Sequence, residues 1–133
     1  MVTHPTPDTP PYDLLGGESG VRRIVDRFYD LMDETPEYYV VRKLHPRELG
    51  GSRQKLFMFL SGWLGGPQLY VQQYGHPKLR ARHLPFAIGN AERDAWIACM
   101  TQAMTECDVE ESLKSWLLKS LFGTADWMRN SEG

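Results

Sequence analysis

One imidazole, His83, sits between a basic pair and a proline in the run Arg80-Ala81-Arg82-His83-Leu84-Pro85-Phe86. The helix-like stretch Glu92-Arg93-Asp94-Ala95-Trp96 then turns a tryptophan inward. A buried neutral imidazole suits a metal ligand, and arginines beside it suit an anionic rim. On an earlier segment, Tyr29 follows Phe28, four residues after Val25 and three before Met32, which brings its ring to an apolar helix face. A hydroxyl and an indole N–H directed into a core both need partners there, and together they suggest a polar ligand inside.

Each of these residues also has a plainer reading. Taken alone, His83 is a hydrogen-bonded structural histidine, and Tyr29 and Trp96 bond to backbone carbonyls. His76 adds no chelating pair, because seven residues of helix separate two side chains by about 10 Å and Pro77 interrupts the helix. Zinc needs three or four ligands, and neither a CxxC nor an HExxH pattern occurs. What favours the ligand reading is the coincidence of several polar-tipped residues on different elements.

Those elements are helices. Ser19 is expected to cap a helix carrying Val21, Ile24, Val25, Phe28, Leu31 and Met32 at a 3.6-residue period, ending near Pro36. Residues 37–51 read as a turn-rich connection with a short helix. A second helix runs from about Ser52 to Leu64, with Leu56, Leu60, Trp63 and Leu64 inward, and stops at Gly65-Gly66-Pro67. Between Pro67 and Gly89 there is room only for short helical pieces, one of which bears His83. Asn90 is expected to cap a third helix, with Ala91, Ala95, Trp96, Cys99, Met100, Ala103 and Met104 along one face. Asp108 and Glu111 form a capping-box signal for a fourth, with Leu113, Trp116, Leu117 and Leu121 inward and Gly123 at its end. No segment alternates as a strand would, so the fold class is all-α.

Length and charge narrow the function classes. A chain of 133 residues makes one domain with room for one site. Its net charge of -2, with scattered basic residues, argues against nucleic acid, and no apolar run is long enough for a membrane span. Cys99 and Cys107 share one helix roughly 12 Å apart along its axis, too far to bridge, and read as reduced thiols. Residues 1–11, with Pro5, Pro7, Pro10 and Pro11, read as a flexible tail before a domain spanning 12–133. They lack the pattern of an export signal, so a cytoplasmic location is expected.

The ordered set Gly16-Gly17, Phe28-Tyr29, Gly65-Gly66-Pro67, Gly75-His76-Pro77, Arg82-His83, Pro85-Phe86 and Glu92-Arg93-Asp94-Ala95-Trp96 resembles the truncated haemoglobins of group II, over nearly everything from Tyr12 to Phe122. The resemblance implies a truncated globin fold, a two-over-two helical sandwich around haem b. It implies His83 as the proximal iron ligand, with Tyr29 and Trp96 as distal residues that hydrogen-bond the bound gas. Ser52 and Leu56 match distal-helix positions near the ligand. Lys55 and Arg82 match residues that reach the propionates, and Phe28 and Phe86 are expected against the cofactor. The absence of CxxCH means that the haem is not attached in the c-type manner.

One departure from the family stands at Leu44-His45-Pro46, where group II proteins usually carry tyrosine or phenylalanine, after a loop from Thr35 that looks a few residues longer than usual. His45 has three readings: a third distal donor, a second iron ligand in the unliganded state, or a surface histidine. The first is preferred. A histidine here would also make affinity sensitive to pH near neutrality.

Two or three distal donors, each worth on the order of 1–3 kcal/mol in a dry pocket, slow dioxygen release roughly 5-fold to 100-fold apiece, too much for delivery. The expected function is a haem protein binding dioxygen, carbon monoxide, nitric oxide or peroxide, served by an unidentified reductase. It would have peroxidase-like or nitric-oxide and peroxynitrite detoxifying chemistry, as a monomer or homodimer. The competing reading is a non-haem helical interaction module in which His83, Tyr29 and Trp96 are ordinary core residues.

Overall fold

The computed structural model describes residues 9–130, and every regular element in that range is helical. A short helix α1 (Pro11–Leu14) leads into the long α2 (Gly17–Glu34). A 3-10 turn (Pro36–Tyr38) and α3 (Tyr39–Arg42) follow, then α4 (Gly50–Trp63), the short α5 (Leu69–Tyr74) and α6 (Leu79–His83), and the long pair α7 (Asn90–Glu106) and α8 (Glu111–Trp127). Helix α2 packs on both α4 and α7, and α7 on α8, so that one helical pair lies over the other.

The amphipathic stripe of α2 accounts for this arrangement. Val21, Ile24, Val25, Phe28, Tyr29, Leu31 and Met32 are all buried, and they meet Phe57, Leu60, Cys99, Met100, Ala103 and Leu117 in one core. Fully burying an aliphatic or aromatic side chain of this size contributes about 1.5–3 kcal/mol, so the core and not helix propensity holds α2 in place. No helix among the described residues is long and apolar enough to cross a membrane.

Several helix ends differ from the sequence expectation. Ser19 lies inside α2, and the cap is Gly16 in the left-handed region (φ 102°), because the chain reverses from α1 on the Gly16-Gly17 pair. Helix α7 starts at Asn90 itself, with Gly89 N–H donating to Glu92 Oε1 at 2.7 Å. At α8, Glu110 replaces Asp108 as the cap, its carboxylate accepting from Ser112 N–H and Leu113 N–H, while Asp108 takes a left-handed turn (φ 59°). Gly123 does not end α8, which continues to Trp127, and Trp116 is 44% exposed instead of inward.

The flexible tail expected for residues 1–11 lies mostly outside the described residues, but its last part is fixed. Tyr12 N–H donates to Leu64 O at 2.9 Å, and Pro11 opens α1. A Cβ on Gly65 would stand 2.7 Å from Pro10 Cβ, and one on Gly66 would stand 2.5 Å from the Tyr12 ring. The glycine pair that stops α4 therefore also admits α1 against it.

Candidate functional site

His83 ends α6, a helix of five residues that leaves a left-handed Lys78 (φ 49°). Its Nδ1–H donates to Leu79 O at 2.6 Å. A carbonyl can only accept, so this bond fixes the tautomer and leaves the Nε2 lone pair available as a metal ligand. Apolar side chains on α5 and just after α6 are left uncovered: Val71, Tyr74, Leu84 and Phe86 are each more than 40% exposed. Among the described residues no group of three or more His, Cys, Asp or Glu could hold a bare metal ion. A metal on His83 would need further ligands such as a macrocycle supplies, and exposed apolar side chains such as Leu84 and Phe86, close in sequence to it, would suit an apolar one.

The residues expected on the opposite side form one string of rings. His45 stands edge-on to Tyr29 (centroids 5.7 Å apart), Tyr29 to Phe28 (5.0 Å), and Phe28 to Trp96 (5.1 Å). Phe28, expected against the cofactor, is instead fully covered by protein. Its ring separates Tyr29 from Trp96 and braces both, while Cys99 Sγ–H donates to its carbonyl at 3.2 Å. Burial pushes the Cys99 thiol up to about 12, so it remains a protonated, inert packing group.

No hydrogen bond engages the Tyr29 hydroxyl or the Trp96 indole N–H, yet no fully buried polar side-chain atom lacks a partner among the described residues. Both polar tips therefore keep some exposure to solvent. Burial raises the Tyr29 pKa far above its ordinary 10, against the opposing pull of Arg53, so the phenol is a donor throughout the physiological range.

His45 is half-buried, and its Nδ1–H donates to Val41 O at 2.9 Å. In that neutral tautomer Nε2 presents a lone pair, an acceptor or ligand, and it becomes a donor only on protonation. Burial lowers the His45 pKa below its ordinary 6.5; the bond to Val41 opposes this, and the nearby Arg42 and His83 lower it further. Its placement beside Tyr29 is not that of a surface histidine.

Ser52 and Leu56 are half-buried on α4, one turn apart. Lys55, exposed between them, places Nζ 5.8 Å from the Tyr74 ring centre, and the Arg82 guanidinium lies 5.9 Å from that of Tyr70. Tyr70 and Tyr74 are themselves 4.9 Å apart, so both expected rim cations gather on one aromatic pair of α5. His76 is exposed and its Nδ1 accepts from Lys78 N–H, away from any chelating role.

Two residues near the site were not anticipated. Arg53 donates to Asp30 Oδ1 (2.6 Å) and to Asp26 O (3.0 Å), with its guanidinium 5.9 Å from the Tyr29 ring centre. Asp26 and Asp30 are spaced i,i+4 on α2, a signal for a cation on a facing helix. Asn130 donates to His83 O and Phe86 O; nothing local to it in sequence marks that role.

Comparison with known proteins rests on the whole fold. The family model described as a bacterial-like globin matches residues 11–130. The group 2 truncated hemoglobin YjbI of Bacillus subtilis is 39% identical over 120 residues, covering 90% of this chain and 88% of that one. This chain belongs to the group II truncated haemoglobins. The solved group II 2-on-2 hemoglobin from Agrobacterium tumefaciens superposes with a TM-score of 0.90 at 39% identity, over 99% of this chain and all of that one. The truncated oxygen-avid haemoglobin of Bacillus subtilis gives a TM-score of 0.82 at 39% identity, over 91% and 99% of the two chains.

Haem b, with its iron, is the cofactor of this globin family, and the globin binds small diatomic ligands such as dioxygen at that iron. Membership decides between a haem protein and a non-haem helical module in favour of the former. The residues present fit it: an imidazole with its Nε2 lone pair uncommitted, exposed apolar side chains, and two cations on one aromatic pair would suit a porphyrin with two propionates.

Proposed function

We propose that this globin holds dioxygen and related diatomic ligands with slow release, and that it serves as a scavenger or redox protein instead of a carrier. The carrying observation is that the Tyr29 hydroxyl and the Trp96 N–H, braced by one ring, have no hydrogen-bond partner among the described residues. Haem held by His83 supplies the iron at which the gas binds and, when oxidised by peroxide, redox chemistry. Lys55 and Arg82 would pair with its propionates, and Phe86 would pack against it. Ser52 and Leu56 bound the ligand space from α4.

Within that space Tyr29 and Trp96 donate to the ligand, where charge builds on the outer atom. Neutral His45 presents its Nε2 lone pair and would ligate iron in the unliganded state, and protonated it would become a third donor. The same donors favour cleavage of a bound peroxide and the detoxification of nitric oxide or peroxynitrite. These uses require an unidentified reductase, and a cytoplasmic monomer or homodimer suits them. The oxygen avidity of the Bacillus subtilis relative supports this reading.

The test is stopped-flow measurement of dioxygen dissociation from the purified ferrous protein and from Tyr29→Phe. The wild type is expected to release slowly and the variant roughly 5-fold to 100-fold faster. Fast release from the wild type, unaltered in the variant, would overturn it.

A further inference from the structure

Helix α6 is too short to hold its own shape, and the loop after it exposes Leu84, Pro85, Phe86 and Ala87. What fixes it comes from the other end of the chain. Asn130, 47 residues downstream of His83, donates through Nδ2 to His83 O (3.2 Å) and to Phe86 O (2.8 Å). Its Oδ1 accepts from Ile88 N–H (2.9 Å), and its own N–H donates to Ile88 O (2.8 Å). One side chain thus bonds to both ends of the segment 83–88.

Arg80, on the other side of α6, donates to Trp127 O (2.6 Å) and Arg129 O (3.1 Å), which ties the start of that helix to the same segment. The segment is anchored in turn. Asp126 accepts from Arg93 of α7 (2.8 Å), and Met128 is buried. The His83 ring is set by its bond to Leu79 O, so its orientation follows the backbone of 79–83.

We propose that Asn130 is a positioning residue for the His83 imidazole, a clasp through which the end of α8 sets the iron–imidazole bond and the retention of haem. This rests on His83 as the iron ligand. Without the clasp the carbonyls of His83 and Phe86 lose a donor and α6 can tilt, so the bond weakens and its geometry spreads.

The test uses the haem-loaded protein and the variants Asn130→Ala, Asn130→Asp and Arg129→Ala. The iron–histidine stretch is read by resonance Raman of the ferrous form, and haem loss by transfer to excess apomyoglobin. Asn130→Ala should lower and broaden the stretch and speed haem loss by about 5-fold to 10-fold. Asn130→Asp keeps the acceptor for Ile88 N–H but loses both donated bonds. It should act in the same direction, and it decides the matter if the alanine variant does not fold. Arg129→Ala, which leaves every bond to 83–88 in place, should behave as wild type in both readouts. A wild-type stretch and wild-type haem loss in the Asn130 variants, or the same change in Arg129→Ala, would overturn the inference. A wild type without an iron–histidine band would instead remove the assignment of His83.

Discussion

The Tyr29 and His45 rings stand edge-on, with centroids 5.7 Å apart and planes at 78°. One is a phenol that burial keeps protonated, and the other is an imidazole that burial keeps neutral. The pair offers a fixed donor beside a group whose role changes with pH.

That change has a definite sign. Above its ordinary pKa of 6.5, His45 is neutral, with Nδ1–H on Val41 O and a lone pair at Nε2. Acidification through its lowered pKa adds a proton at Nε2 and a donor near the ligand. Dioxygen dissociation should therefore slow as pH falls from 6.5 through the lowered value, and in His45→Phe it should be independent of pH over that range. The preference of the fold for neutral His45 also contributes stability that is fully present above pH 6.5 and lost as pH falls through the lowered value. Thermal unfolding between pH 7.5 and 5 should show a shallower acid decline in His45→Phe.

If Nε2 of His45 ligates iron when no gas is bound, the ferrous spectrum is six-coordinate and His45→Ala makes it five-coordinate. A five-coordinate wild type rejects that ligation and leaves the acceptor role.

His83→Ala removes the nitrogen proposed as the proximal iron ligand. Purified with haem, this variant should retain little of it, with the Soret band lost on gel filtration. Added imidazole should restore part of the band, which distinguishes a missing ligand from a collapsed fold.

Trp96→Phe deletes one N–H while keeping most of the volume against Phe28. Its dioxygen off-rate should rise several-fold, on the order of 5-fold or more, with circular dichroism unchanged. An unchanged off-rate would mean that the indole serves packing alone.

Arg53 ties α4 to α2 beside Tyr29, through a side chain that is 27% exposed. Because water screens such pairs, Arg53→Met should cost only about 1 kcal/mol in urea unfolding. Its larger effect should be on ligand kinetics, with dioxygen release a few-fold faster as Tyr29 loosens. Equal release rates in the two proteins would confine Arg53 to structure.

The local parts of this protein were legible in its sequence. The α2 stripe from Val21 to Met32 is periodic, Gly65-Gly66-Pro67 can only stop a helix, and the ordered run from Gly75 to Trp96 carries the resemblance to the family. Such features depend on residues within a few turns of one another. Which ring faces the ligand space depends on packing, so Phe28 became a brace behind Tyr29 and Trp96, and Trp116 stayed on the surface. The caps at Gly16 and Glu110 depended on how α1 and α8 approach their neighbours. Tertiary structure alone brought Arg53 to Asp30 and Asn130 to His83, because a hydrogen bond across tens of residues leaves no period or spacing in the chain. The sequence determined the family and its cofactor class, and the fold decided how His83, proposed as the iron ligand, and the rings of Tyr29 and Trp96 are held.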